Sequence, residues 1–251
     1  MSNIDNFTIL IIAAGMGKRM GKIGKKMPKC LIKINNLTLI ERNLLTLKSL
    51  GIKKVNIIVG YKFRKIKSLL NKKKILKINF IKIDNYKYGH SYTLYFFKKF
   101  WNQLRKPLLF LHADIIYKDD YLINIINSPK KNIIGVKYKK NHQIRSYGLV
   151  VKINKKSEVI MINMKKKVKN FYGEILGINK FSVNTLKKIY SFMDEFFKNK
   201  VNKRLAWEIF LDIFIRSGLG KFHVLRSQQY PWININNSRD LQNARKLVFK
   251  V

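Results

Sequence analysis

TILIIAAGMGKRMGKIGKKMPKCL, residues Thr8 to Leu31, is the stretch on which the reading of this chain turns. Its apolar run from Ile9 to Ala14 predicts a buried strand, and Gly15 and Gly17 break that run into a glycine and lysine loop closing on Pro28 and Lys29. Glycine lets backbone N–H groups approach an anion closely, and Lys18, Arg19 and Lys29 supply the opposing charge. A strand that ends in such a loop predicts a polyphosphate site. Two familiar phosphate loops are excluded. A Walker A loop requires Ser or Thr after its Gly-Lys step, where this chain has Arg19, and Met20 stands in place of the third glycine of the dinucleotide fingerprint. A tight strand-to-helix turn with solvated lysines is the competing reading.

Composition narrows the classes. The chain has 251 residues, with 53 Lys and Arg against 13 Asp and Glu, a formal net charge of +40. That length fits one large α/β domain or two small ones. The excess of lysine is spread over nearly every segment and travels with abundant Ile and Asn, the mark of coding bias. It therefore predicts a general attraction for anions, and no recognised nucleic-acid module accompanies it. Cys30 is the single cysteine, so an intrachain disulfide is excluded and a reducing cytoplasm is the expected setting. Histidines at 90, 112, 142 and 223 lack zinc-ligand spacing. The N-terminus carries Asp5 and no basic region, which argues against a secretory signal, and no apolar run reaches the length of a membrane span.

Along the chain, Leu37 to Leu50 has helical apolar spacing and stops at Gly51, and Val55 to Val59 and Ile78 to Ile83 read as strands. The unit strand, loop, helix, strand implies a parallel sheet. An aromatic cluster spans Asn85 to Trp101 with a helix from Ser91, and Pro107 to Asp114 is a strand delivering a carboxylate at its C-terminal end. In open α/β sheets ligands bind at that edge. Asp119 or Asp120 is expected to cap the next helix. Ile133 to Val136 reads as a further strand, Gly148 to Ile153 and Glu158 to Met164 as antiparallel strands, with a charged turn at Lys165 to Lys169. Phe171 to Ser182 is a strand interrupted by Gly173, Glu174 and Gly177, where glycine predicts close approach by a ligand. Helices follow at Val183 to Lys198 and Leu205 to Ser217, and Asp240 is expected to cap the last one.

The pattern Gly15-x-Gly17-x-Arg19-Met20 followed by Pro28-Lys29-x-Leu31 resembles the signature of the nucleotidyltransferases that make sugar nucleotides and CDP-alcohols. VNIIVGYKFRKI, from Val55, looks like the I-V-V-G-Y-K segment of such enzymes, and PLLFLHAD resembles their strand-end aspartate at Asp114. Residues Gly89 to Tyr95, GEILGINKFS from Gly173, and Trp207-Glu208 are similar to stretches of phosphocholine and phosphonate cytidylyltransferases, though the asparagine pair expected before the first is missing. Tyr230 to Leu247 aligns with a W-x-[DE]-I-D-T-x-x-D-L segment in which this chain has Asn234 and Asn236 at the two acidic positions, as molybdenum-cofactor guanylyltransferases do.

The resemblance covers residues 8 to 65, 107 to 120, 171 to 182 and 205 to 247. It implies a GT-A/Rossmann-like, doubly wound α/β fold with a mixed central sheet, one domain over 1–251 whose nucleotide-binding half is 8–136 and acceptor-binding half 137–251. It also implies transfer of CMP from CTP to a small phosphorylated alcohol or a phosphonate, with release of pyrophosphate. In that scheme the backbone from Ala13 through Ala14, Gly15, Met16 and Gly17, with Lys18 and Arg19, holds the phosphates, and Lys29 contacts the reacting one. His90 and Ser91 contact the nucleotide, and Tyr92, Glu174, Trp207 and Glu208 the acceptor, with Tyr172, Trp207 and Trp232 as walls for a small cation; core packing is the competing reading of the tryptophans, and a salt bridge with a lysine that of Glu174. Asp114, Asn234 and Asn236 hold Mg²⁺. A sugar-1-phosphate nucleotidyltransferase is the first alternative, and a non-catalytic basic protein that binds nucleotide or RNA is the second.

Overall fold

The computed structural model describes residues 6–138, 148–164, 169–226 and 232–248. Its first strand, β1 (Thr8–Ala13), is buried along its whole length because both of its faces are covered. Leu10 and Ile12 enter one core while Ile9, Ile11 and Ala13 enter the other, as the two-residue period of a strand requires. After the loop come a short helix, α1 (Lys22–Lys26), and a hairpin of β2 (Lys33–Ile34) and β3 (Leu37–Thr38). Asn35 and Asn36 make its turn with φ of 48° and 64°, the left-handed pair that such a tight connection demands.

Helix α2 (Leu39–Ser49) begins at Thr38, whose hydroxyl accepts from the Glu41 N–H while the Glu41 carboxylate accepts from the Thr38 N–H. Strand β4 (Lys54–Val59), helix α3 (Phe63–Lys73) and strand β5 (Lys77–Lys82) complete the first right-hand side of the sheet, with β4 parallel to both β1 and β5. The aromatic cluster forms two short helices, α4 (His90–Phe96) and α5 (Lys98–Leu104), divided at Phe97, where one continuous helix was expected. Strand β6 (Leu108–His112) then lies parallel to β1 on its other side. It is followed by β7 (Ile115–Ile116), α6 (Asp119–Asn127) and β8 (Ile133–Lys137).

Beyond β6 the sheet turns antiparallel. Strands β9 (Leu149–Ile153) and β10 (Val159–Met164) pair with each other, and β11 (Gly173–Phe181) pairs with β6, β8 and β9. The register between β11 and β8 shifts between Ile175 and Asn179, around Gly177. A Cβ there would lie 2.6 Å from Cγ of His112, so the glycine admits that imidazole. Helices α7 (Val183–Phe196) and α8 (Trp207–Arg216) cover one face with α4 and α5, and α2, α3 and α6 cover the other. Strand β12 (His223–Arg226) lies parallel to β8.

The last segment returns to the start of the chain. Strand β13 (Ile233–Asn234) pairs with β7, and the Ile235 N–H donates to the Asp114 carbonyl at 3.0 Å. Helix α9 (Ser238–Val248) packs Leu241 and Ala244, with Ile235, against Met20, Ile32, Ile34 and Leu39. A separate small core thus staples the glycine loop to the C-terminal segment. Of two expected caps, one takes another role and the other shares the capping. Lys118, which makes no side-chain cap, precedes α6, and the Asp119 carboxylate accepts from Thr46 at 2.9 Å and Ser49 at 3.0 Å, tying α6 to α2. At α9 the Asn237 side chain takes the Asp240 N–H at 2.9 Å, and Asp240 accepts from the Asn236 N–H at 2.8 Å. Residues 165–168 of the expected charged turn, and Tyr230 of the last aligned stretch, lie outside the described residues. Among the described residues no helix is long and apolar enough to cross a membrane.

Glu41 is buried and its carboxylate is shared between the Thr38 N–H and hydroxyl. Thr38→Ala is therefore expected to cost about 1–2 kcal/mol, read as a lower urea midpoint with an unchanged m-value.

Candidate active site

A cavity of about 630 Å³ opens at the C-terminal ends of β1 and β6. Its cationic wall is the loop after β1. Gly17 has φ +62°, and a Cβ on it would press on Cβ of Lys29 at 3.1 Å. Gly24 lies on the Gly17 carbonyl so closely that its own Cβ would come within 2.3 Å of that oxygen. The loop is thus folded back on itself, with α1 against its middle. Lys18, Arg19 and Lys29 all line the cavity.

Four side chains from three distant segments meet there. Lys29 forms an ion pair with Asp114, just past the end of β6. The Asn236 amide oxygen accepts from Arg19 at 2.9 Å and from Lys29 at 3.2 Å. Burial works to raise the Asp114 carboxyl, and the Lys29 ammonium beside it, with the His112 and His90 imidazoles, overcomes that and holds it below the usual carboxylate range. Oδ2 of Asp114 serves Lys29, while its Oδ1 is buried with no partner among the described residues. Cys30 next door is buried, and desolvation, with Asp114 close by, pushes its thiol up to about 12, so it acts as a small apolar residue.

The floor carries two histidines. His112 ends β6 and meets His90, at the start of α4, edge to face with 5.2 Å between ring centres. Burial, then the neighbouring His112, pushes His90 down to about 4. A neutral imidazole at this place adds no charge against a phosphate and keeps a hydrogen-bonding edge. His112 was not among the expected site residues. Its signal was its position, two residues before Asp114 at the strand end where the sheet binds ligands. Tyr86 and Tyr88 also line the cavity, from a segment without regular structure.

Most of the expected site residues come together. Ala13, Ala14, Gly15, Met16, Gly17, Lys18, Arg19, Lys29, His90, Asp114, Glu174, Glu208, Asn234 and Asn236 line this one cavity. Three do not reach it. Ser91 is buried, and its hydroxyl donates to the Leu205 carbonyl at 2.8 Å. Tyr92 packs on Tyr88 at 4.9 Å and on Phe197 at 5.5 Å. Trp207 is 1% exposed, wedged against Phe110, Phe181 and Phe210. Trp207 and Trp232 belong to the cores on opposite faces of the sheet, and Tyr172 faces Tyr138 and Arg226, so these three rings do not form an aromatic box.

Among the described residues no three His, Cys, Asp or Glu side chains gather to enclose a metal ion. The donor set instead suits a hard cation that takes one carboxylate oxygen from the protein and the rest from phosphates and water, which describes Mg²⁺. Among the described residues Asp114 Oδ1 is buried without a partner, while Asn236 presents its amide oxygen to Arg19 and Lys29.

The sequence profile of the nucleotidyl transferase family matches residues 8–205. The chain belongs to that family. Among relatives of this nucleotidyl transferase, a CTP:phosphoglutamine cytidylyltransferase of Campylobacter jejuni is 25% identical over 93% of this chain and 97% of its own. A 2-aminoethylphosphonate cytidylyltransferase of Lancefieldella rimae is 21% identical over 91% and 88%, and a choline-phosphate cytidylyltransferase of Streptococcus pneumoniae 26% over 79% and 80%. Among solved structures, the inositol-1-phosphate CTP transferase from T. maritima superposes with a TM-score of 0.80 at 15% identity, over 97% of this chain and 95% of that one. The CTP:phosphocholine cytidylyltransferase from S. pneumoniae does so with a TM-score of 0.76 at 21%, over 96% and 99%. The fold is the GT-A-like one that the opening loop implied.

His90 sets a pH dependence. His90 titrates near 4 in the folded chain against 6.5 without the fold, so the unfolded chain binds the extra proton in that window and acid favours unfolding. Asp114, lowered in the folded state, works in the same direction further down. The urea midpoint is expected to fall between about pH 6.5 and about pH 4, and His90→Gln to flatten that fall. An equally steep fall in the variant would show that another group carries it.

Proposed function

We propose that this nucleotidyl transferase is a cytidylyltransferase, moving CMP from CTP to a small acceptor that bears a phosphate or phosphonate. The observation that carries this reading is the meeting of Arg19, Lys29, Asp114 and Asn236 over the glycine loop. An oxygen of the acceptor's phosphate attacks the α-phosphorus in line, the α–β bridging bond breaks, and pyrophosphate leaves with the electron pair. A phosphate monoester is already nucleophilic at neutral pH, so the reaction requires position and charge neutralisation and no general base. Loop amides from Gly15 to Gly17, with Lys18 and Arg19, bind the β and γ phosphates, and Lys29 turns from Asp114 toward the α-phosphate.

Asp114, with Asn234 and Asn236 beside it, would hold Mg²⁺, which when bound neutralises charge spread over the phosphates. Amide oxygens in place of the second carboxylate weaken that site. CTP is favoured as donor by the cytidylyltransferases among the relatives, and the reaction suits a reducing cytoplasm. Asp114, Glu174 and Glu208 are three of only 13 acidic residues in a chain of net charge +40, and all three line the cavity. Glu174 and Glu208 suit an acceptor whose other end is an ammonium group, held by carboxylates and flanked by Tyr86 and Tyr88.

Pyrophosphate release, measured across the four NTPs with phosphocholine, aminoethylphosphonate and hexose 1-phosphates, is the test. Turnover is expected with CTP and an amine-bearing acceptor, and turnover confined to hexose phosphates would overturn the choice. Lys29→Ala and Asp114→Asn are each expected to lower kcat/KM by roughly 10²- to 10³-fold with the circular dichroism spectrum unchanged. Wild-type activity in either variant would remove that residue from the mechanism. No turnover combined with RNA binding that weakens steeply with salt would make the protein a binding module.

A further inference from the structure

The Gly60-Tyr61-Lys62 step after β4 stands out in the sequence, and the chemistry above makes no use of it. The structure places it against both ends of the phosphate loop. At the near end, the Tyr61 N–H donates to the carbonyl of Ala14, where β1 gives way to the loop, at 3.1 Å. At the far end, the Tyr61 hydroxyl donates to the Lys25 carbonyl at 2.9 Å. The Lys62 ammonium reaches the carbonyls of Lys25 at 2.5 Å and Lys26 at 3.1 Å, and Lys65 adds a donor to Lys26 at 3.2 Å. These carbonyls end α1, whose last-turn acceptors have no partner within the helix. Gly60 makes the approach possible, because a Cβ on it would lie 2.4 Å from Cβ of Tyr86 and 3.1 Å from the Ala14 oxygen.

We infer that Tyr61 and Lys62 are positioning residues for nucleotide binding, clamping the loop in its anion-binding shape from outside the cavity. The inference rests on the nucleotide reading of the loop given above. Left alone, a segment carrying Lys18, Arg19, Lys22, Lys25 and Lys26 repels itself and spreads before any phosphate arrives. Tying both of its ends to one dipeptide at the start of α3 holds the amides and cations together in the empty protein, so less ordering remains for the nucleotide to impose. Exposed hydrogen bonds of this kind add little to global stability, so the clamp acts on the loop and leaves the melting temperature nearly unmoved.

Hydrogen–deuterium exchange of the free protein tests the clamp without any assay of turnover. Lys62→Ala, and the double variant Tyr61→Phe with Lys62→Ala, are expected to speed exchange in the peptides covering residues 14–27 and nowhere else, with Lys62→Arg restoring protection. Exchange at 14–27 equal to wild type overturns the clamp. In the turnover assay Lys62→Ala is expected to raise KM for the nucleotide on the order of tenfold, with a smaller change in kcat and none in KM for the acceptor. Faster loop exchange with an unchanged nucleotide KM would overturn the positioning role alone. A wild-type protein that turns over no NTP would defeat the proposed reaction and leave exchange to decide the clamp.

Discussion

Positive charge cannot be stored beside positive charge without something acidic or dipolar between, and this molecule solves that problem with Asp114 and the amide of Asn236. Arg19 and Lys29 both donate to one amide oxygen, and Lys29 also pairs with a carboxylate that has itself been drawn below its usual pKa. Each of these groups is costly to keep in a partly dry cavity alone. Together they form a network that a triphosphate can enter by exchanging one anion for another. The sheet order follows the same need: β1 and β6 must be neighbours so that the loop after one faces the aspartate after the other. The small strands β7 and β13 are what bring Asn236 into reach of both.

Charge elsewhere in the chain is handled locally. Lys180 lies buried in β11 and its ammonium donates to the Ser128 carbonyl at 2.7 Å and to the Ile126 carbonyl at 3.3 Å, at the end of α6, much as Lys62 serves the end of α1. Lysine on helix C-termini satisfies orphan carbonyls and complements the helix dipole. A large formal charge therefore coexists with an ordinary α/β interior, since a share of the ammonium groups is engaged with backbone oxygen.

How much of this could be read beforehand depended on sequence distance. Strands buried on both faces announce themselves as apolar runs, so β1, β6 and β4, the last interrupted only by Asn56, were legible, as were the loop glycines, Lys29 and Asp114. The partnership of Arg19 with Asn236 spans 217 positions, and only the resemblance hinted at it. Aromatic residues were ambiguous. A tryptophan at the start of a helix looks the same in sequence whether it walls a pocket or fills a core, and Trp207 fills a core because Phe110 and Phe181 from the sheet already surround it. Glycine in β11 was legible in part, as Gly177 lines the cavity and the ring packed against it is that of His112. Asp119 does not cap α6 because it lies inside the helix with its carboxylate held by Thr46 and Ser49, whereas Asp240 shares the capping of α9 with Asn237.

The dependence of the opening loop on the C-terminal segment carries a consequence for biosynthesis. Met20, Ile32 and Ile34 find their apolar cover on Ile235, Leu241 and Ala244, and the oxygen that gathers Arg19 and Lys29 belongs to Asn236. Domains are made from the N-terminus onward, at about 5–20 residues per second, so the loop emerges from the ribosome well before the segment that finishes it. A nascent chain can therefore lay down the parallel core of the sheet early while the charges of the cavity stay ungathered. Competence arrives in one late step, when translation reaches the strand and helix that close over the first turn.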